Sequence, residues 1–531
     1  MLDNQDFDAV IVGSGPAGVS AAFPLLEAGA RVLMVDGGRR ESWQPPAEQY
    51  LSLRRNDPDQ WHWFVGKNFH ALRHNQAASP KLRVTTHESI FEGFQAANRI
   101  VTDDFVAIGS LAAGGLSNAW GCGVASLSDS ELASFPVDAA TMRTSYASVA
   151  KRIGISGRCP DDMEDFFGVD AWAQPPLPMD DLHSSIHRRY LARRDKLLQN
   201  RFRLGQARIA VLSEPLGDRM ACDQSGTCLW GCGRQALYSA AYDLRSLKAR
   251  KGFHYRPGHI VDGVYDKGGS VIVEGEGPQG PFRFTARRAL LAAGTLASTR
   301  LALQAIDYRL PLPLQSCPTA AFLLCLPQYL GRPHQAVTGL GQLSFALTLA
   351  NETQSFGSLF STTGIPVTEF ARHLPFGKRY AVDFLRKLLP ACTVGNIFLP
   401  GSLTAATVQL SDDRNLMVNG SYKAQTTELM REARARLANS FRHVGAILIP
   451  GSFTVGRPGT DIHYSATLPM CETPQQGQTG PFGELAGASR IYVIDGASLP
   501  YLPAKSHTFT IMANADRIAR HISTTSMGAE I

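Results

Sequence analysis

Apolar positions along the chain follow two periods. Short unbroken apolar runs close at a glycine or an acid: AVIV at 9–12, VLMV inside RVLMVD at 31–36, ALLAA inside RRALLAA at 287–293 and RIYVIDG at 490–496. Runs of this length without alternation predict strands buried on both faces. Between the first two lies VSAAFPLLEAG (19–29), which predicts a small-residue helix, with Pro24 inside it expected to kink it. HTFTIMANADRIARHI (507–522) predicts a closing helix that opens near His507. HIVDGVYDKGGSVIVEGEG (259–277) alternates and predicts a β-meander, and GTLAS after RRALLAA predicts a helix running through Leu303. The segment 311–450 predicts antiparallel strands in QAVTGLGQLSFALTL (335–349) and TVGNIFLPGSLTAATVQLS (393–411), with helical runs at 367–389 and 423–445. The second of these is patterned as an amphipathic surface helix. A further basic helical run, 179–205, is expected to present a solvated face.

The first turn carries chemistry. Gly13-Ser-Gly15-Pro16-Ala17-Gly18 stands between strand and helix, and Asp36 ends the next strand eighteen residues past Gly18. This is the order of a dinucleotide-binding unit. Gly13 allows the tight turn and Gly15 lets backbone approach a pyrophosphate. Gly18 lets helix and strand pack closely, and the helix N-terminus faces the negative charge. The motif by itself admits NAD or FAD. The strand–glycine–helix at Ala293-Gly294, with Val261 opening the preceding meander, is a second cofactor-side turn. Together they predict an α/β protein in which a Rossmann-like domain draws on distant segments and interleaves with an α+β domain on an antiparallel sheet.

Composition narrows the function. At 531 residues the chain has length for three or four units of about 150 residues. Charged residues are 18% and glycines number 49, which suits a large interior threaded by tight turns and excludes disorder, collagen and coiled coil. A net charge of +6 over this length points to neither nucleic acid nor an anionic membrane. The nine cysteines are scattered except for Cys222, Cys228 and Cys232. That cluster lacks a fourth ligand and any CxxC pair, so it is expected to be a structural loop and no metal is expected. The N-terminus lacks the order of a signal peptide and no apolar run approaches 18 residues, so the expectation is a cytoplasmic protein with reduced thiols.

Three segments resemble the glucose-methanol-choline (GMC) oxidoreductases. At the C-terminal end they are a histidine segment with His463, the stretch Val493–Pro500 containing Asp495-Gly496, and His507-Thr508 before the last helix. With the N-terminal turn this is the family's order. The loop AGGLSNAWGCGV (113–124), holding Gly114, Gly115, Ser117, Asn118, Ala119 and Trp120, is similar to the flavin-facing loop of the pyranose-oxidase branch. In that branch a histidine two residues after the serine carries a covalent flavin bond. Ala119 stands at the matching position here, so the resemblance implies FAD held without a covalent bond. The family's HPxG is also replaced, by His463-Tyr464-Ser465-Ala466.

The resemblance implies a GMC-type fold. The FAD-binding domain would take 1–130, 200–310 and 451–531, with Asp36-Gly37 at its ribose end, and the substrate domain would take 131–199 and 311–450. It implies oxidation of an alcohol to a carbonyl, leaning toward a secondary hydroxyl of a sugar or glycoside. His463 would be the base and His507 the orienting or proton-sharing partner. A sterol or other natural-product alcohol, a flavin-dependent desaturase or cyclase, and a catalytically silent FAD-binding protein are the alternatives. The expected partners are a small-molecule alcohol and an electron acceptor that is dioxygen, a quinone or a carrier protein.

Overall fold

The computed structural model describes residues 7–40, 48–73, 80–375 and 377–527. Its architecture is three sheets with helices between them. The largest has parallel strands at its centre, in the order Glu484–Leu485, Ala488–Val493, Gly280–Leu291, Phe7–Val12, Val32–Asp36, Phe253–Pro257. Phe7–Val12 runs parallel to both neighbours, with Val10 opposite Leu33 on one side and Ala289 on the other. Apart from Asp8 near its start its residues are apolar and buried, because helices cover one face and the meander the other. The meander is Ile260–Asp266 and Val271–Gly277, paired antiparallel onto Gly280–Leu291.

On the helical face, Pro16–Glu27 packs against Thr508–Met527, which also meets Ala139–Ile153. Alanine, glycine and serine along the first helix allow this approach, and nine of its twelve residues are buried. The helix runs through Pro24 as one element. Beyond it the turn continues, the carbonyl of Pro24 accepting the Ala28 N–H at 3.1 Å.

The second sheet has seven strands, ordered Ile447–Leu448, Thr319–Cys325, Cys392–Phe398, Gln354–Ser361, Gly341–Thr348, Phe202–Gln206, with Thr454–Val455 also paired onto Thr319–Cys325. All of these pairings are antiparallel. Phe202–Gln206 and Thr454–Val455 join it although both sit within spans assigned from sequence to the FAD-binding domain. A five-stranded sheet, Tyr464–Ser465, Leu312–Ser316, Ala406–Leu410, Leu416–Asn419, Ile100–Asp103, brings the segment after His463 beside the other two.

Two helical expectations change. The run 367–389 divides into Val367–Ala371 and Lys378–Leu388, split at the turn before Gly377. The basic run 179–205 forms Asp181–Leu191, Arg194–Gln199 and a strand, and its first helix buries Leu182, His183, Ile186 and Tyr190 against the second sheet. It is a packed helix with a charged outer edge. Among the described residues no helix is long and apolar enough to cross a membrane.

Candidate active site

Between the sheets lies one continuous cavity of about 2330 Å³. Pockets for a single small ligand run to roughly 300–1,000 Å³, so this one has room for a dinucleotide and a second molecule.

The first turn forms its floor. Gly13 has φ of +104°, and a Cβ there would sit 2.4 Å from the carbonyl oxygen of Ala292. A Cβ on Gly18 would sit 2.0 Å from the oxygen of Gly13, so helix and turn touch backbone to backbone. Gly15 differs. A Cβ there meets no protein atom within 4 Å, because the position faces the cavity. Ser14 N–H donates to Asp36 Oδ2 at 2.7 Å, and Gly38 N–H donates to the other oxygen. Burial raises the Asp36 pKa against these bonds. The carboxylate is thus held at the strand end, where a ribose hydroxyl can reach its remaining lone pairs.

The turn at 293–294 is tied to the C-terminal strand. Gly294 N–H and Ser298 Oγ–H both donate to Asp495 Oδ2, at 2.9 and 2.5 Å. Asp495 Oδ1 accepts the Ala497 N–H at 3.0 Å, and burial lifts its pKa to about 6. The loop at 113–124 is braced from within: Asn118 Nδ2 donates to the carbonyls of Ala113 and Gly115, and Ser117 Oγ–H to that of Gly114. Trp120 Nε1–H donates to the Tyr238 carbonyl at 2.8 Å. Ala119 lines the cavity. Every glycine, acid and loop residue marked from the sequence lines the cavity except Gly18 and Gly114. Those two stand behind it, Gly18 against Gly13 and Gly114 against Ala241.

The two histidines meet at the far end of the dinucleotide cradle. Their ring centroids are 5.0 Å apart with planes at 77°, and Phe398 packs on His463 at 5.1 Å. His507 closes the N-terminal end of the last helix, where its carbonyl accepts the Ile511 N–H. His463 follows Ile462, a residue in the left-handed region at φ of +62° that turns the imidazole inward. Each Nδ1 is buried without a hydrogen-bond partner, leaving Nε2 as the nitrogen that faces the cavity. Burial pushes the His507 pKa down to about 4. His463 is held well below its ordinary value by burial, then by His507 and Lys81. Both imidazoles are therefore neutral near pH 7, the form that can accept a proton.

Asp461 was not singled out in the sequence, although it stands two residues before His463. Its Oδ2 lies 3.8 Å from His463 Nδ1. It accepts hydrogen bonds from Ser316 Oγ–H and the Cys317 N–H, each at 2.7 Å, and burial raises its pKa to about 7. Among the described residues, Cys317, Asp461 and His463 are the one trio whose donor atoms come within 4.8 Å of one another. The carboxylate is already engaged and the Cys317 thiol donates to the Pro503 carbonyl, so the trio braces the histidine turn. Cys222, Cys228 and Cys232 are free thiols, and the last two line the cavity wall. The sequence also left unmarked the cavity face of the antiparallel sheet. Asn396, Ser358 and Ser344 are register partners across three strands and form a polar row there. Phe398 and Phe356 pair directly below it.

The FAD fit rests on the cradle: a bare position at Gly15, a held carboxylate at Asp36, and backbone turns at 114–119 and 293–294 facing one continuous space. Residues 7–108 match the pyridine nucleotide-disulphide oxidoreductase sequence family. No curated protein matches the chain. Among solved structures, pyridoxine 4-oxidase from Mesorbium loti is similar at a TM-score of 0.60 and 15% identity, covering 97% of this chain and 99% of its own. Formate oxidase from Aspergillus oryzae RIB40, in a mutant solved for its effect on FAD modification, is similar at a TM-score of 0.59 and 13% identity, with 99% of both chains covered. End-to-end coverage at this level establishes the fold: the protein is built on the Rossmann-containing fold of the glucose-methanol-choline oxidoreductases.

Proposed function

We propose that the protein is an FAD-dependent oxidoreductase that converts an alcohol to a carbonyl. One observation carries the reading: two neutral imidazoles share a cavity with a complete dinucleotide cradle. Bound FAD would supply the hydride acceptor. Its diphosphate would lie on Gly13–Gly18 and its ribose at Asp36. The isoalloxazine would lie along Gly115–Trp120, between that loop and the histidines.

The chain's own residues have three tasks. Nε2 of His463 accepts the hydroxyl proton, which must leave as the carbon loses its hydride. His507 sets the angle of the hydroxyl from the opposite side and can share that proton, so the two act as one titrating pair. The N–H groups at the start of Thr508–Met527 place positive potential where Thr508 lines the cavity. Ala119 offers a methyl group, with no nucleophilic atom, so FAD is held by contacts alone.

The polar row Asn396–Ser358–Ser344, flanked by Phe356 and Phe398, supports a substrate with several hydroxyls, such as a sugar or glycoside. Leu323, Val394 and Phe360, on the opposite flank, favour a larger natural-product alcohol as the second reading. The test is anaerobic loss of yellow colour across a panel of sugars, glycosides and sterols. Re-oxidation by air, then by a quinone, separates oxidase from dehydrogenase. Failure of every alcohol to reduce the flavin overturns the proposal.

A further inference from the structure

We infer that the substrate is an anionic alcohol whose carboxylate pairs with Lys81, with Arg372 as a second cation in the cavity roof. The inference deepens the alcohol-oxidation reading above and rests on it for the reacting hydroxyl.

The argument is a charge inventory of the cavity. Among the described residues, four carboxylates line it: Asp36, Glu369, Asp461 and Asp495. Each is already committed. Asp36 accepts the N–H groups of Ser14 and Gly38. Asp495 accepts Gly294, Ser298 and Ala497, and Asp461 accepts Ser316 and Cys317. Glu369 takes Arg83 in a two-pronged pair, Nη2 to Oε2 at 2.7 Å and Nε to Oε1 at 3.1 Å. That pair joins the short helix Pro80–Arg83 to the helix Val367–Ala371 and forms a roof on the sheet side of the cavity.

Two cations stay over on this roof. Lys81 lines the cavity from the first segment, and no carboxylate among the described residues lies within ion-pair distance of it. Its charge reaches His463, which it pushes toward the neutral form. Burial disfavours its own ammonium. Arg372 lies three residues past Glu369, so it sits one turn along from the Arg83 pair, and it too lines the cavity. Its Nη1 is buried without a hydrogen-bond partner. Both side chains are half-buried, and a cation whose lost hydration no carboxylate offsets is costly. An arriving carboxylate offsets that cost at both positions. It also screens Lys81 from His463, which makes the imidazole a better base once substrate is bound.

The reaction stays balanced: the carbinol carbon gives a hydride to the flavin, its hydroxyl proton goes to His463, and the carboxylate is unchanged throughout.

The test uses the flavin-loaded protein, with binding and turnover read separately. Benzoate and benzamide, which carry no alcohol, are titrated against the flavin absorbance of the wild type, Lys81→Met and Arg372→Met. Matched alcohols then follow: methyl glucuronide with methyl glucoside, and 4-(hydroxymethyl)benzoate with its amide. Glucose 6-phosphate is included to tell carboxylate from phosphate. The expected result is benzoate binding at least tenfold tighter than benzamide, a preference abolished in Lys81→Met and weakened in Arg372→Met. Among the alcohols, the acid member of a pair should lead its neutral twin by tenfold or more in kcat/KM, chiefly through KM. Equal binding of benzoate and benzamide, or a benzoate preference unchanged in Lys81→Met, overturns the inference. Preference for the sugar phosphate over the glucuronide overturns the carboxylate assignment. Lys81-dependent benzoate binding without flavin reduction by any alcohol leaves the anion site standing and rejects alcohol oxidation instead.

Discussion

Substituting alanine at Gly15 and at Gly18 separates cofactor binding from folding within one turn. Gly15 has φ of −66°, which alanine adopts readily, and its new methyl would meet no protein atom within 4 Å. The apoprotein should therefore unfold at the wild-type temperature, within the roughly 0.5 kcal/mol expected of an uninvolved site. The methyl instead occupies cavity space that the diphosphate needs. Displacing the diphosphate from one backbone N–H forfeits a charge-assisted hydrogen bond of about 1.5–3 kcal/mol. At about 1.4 kcal/mol per factor of ten, the Kd for FAD should rise roughly ten- to a hundred-fold. Gly18→Ala behaves in the opposite way. Its methyl would lie 2.0 Å from the oxygen of Gly13 and 3.3 Å from Ile11 Cγ2, so backbone must move. Overpacking of this kind costs about 1–3 kcal/mol. A collision with a carbonyl belongs at the upper end, with apoprotein stability lost before any flavin is added. The assay is thermal unfolding of the two apoproteins alongside FAD titration by fluorescence quenching. An unchanged FAD affinity in Gly15→Ala, or an equal loss of apoprotein stability in both variants, would refute the reasoning.

Other outcomes follow from the same geometry. The His507 pKa lies at about 4 and that of His463 well below its ordinary value, and the base works as neutral imidazole. Flavin reduction should thus keep its rate from neutral pH down to about pH 5 and fall only as the pair protonates below that. A decline centred on the ordinary histidine value in a rapid-mixing pH series would contradict this. Folding should lose stability as pH falls from about 6.5 toward 4, because the unfolded chain's histidines take up protons that these buried ones refuse. Arg208 is fully buried between Asp161 and Asp170, which it pairs at 2.9 and 2.8 Å. Arg208→Ala strands two carboxylates and should cost about 3–5 kcal/mol in denaturant unfolding, whereas a loss under 1 kcal/mol would show the triad to be dispensable. Acid precipitation should leave the yellow colour in the supernatant, since Ala119 has no atom to bond the flavin; colour retained in the pellet would reject that.

The parts of the site legible in the sequence were those that repeat a backbone requirement. Gly13, Gly15 and Gly18 could be read because tight turn, phosphate approach and helix packing each tolerate only glycine. Asp36 could be read from its distance along the chain, and His463 and His507 from their order around Val493–Pro500. What escaped was set by contacts between distant segments. Asn396, Ser358 and Ser344 become a row only through strand register, and nothing local marks them. Lys81 sits in a short helix that no motif marks, and its roof role depends on Arg83 meeting Glu369 nearly three hundred residues away. The strand at 202–206 was hidden in a basic helical run because its partner, Gly341–Thr348, decides its state.

The central claim is that the histidine pair removes the hydroxyl proton while the flavin takes the hydride. Rapid anaerobic mixing of the flavin-loaded protein with its best alcohol tests it most directly, run for wild type, His463→Ala and His507→Ala at matched flavin content. The account predicts that each variant keeps its flavin and slows reduction by about a hundred- to ten-thousand-fold, the range of general-base catalysis. Reduction at the wild-type rate in both variants would contradict it.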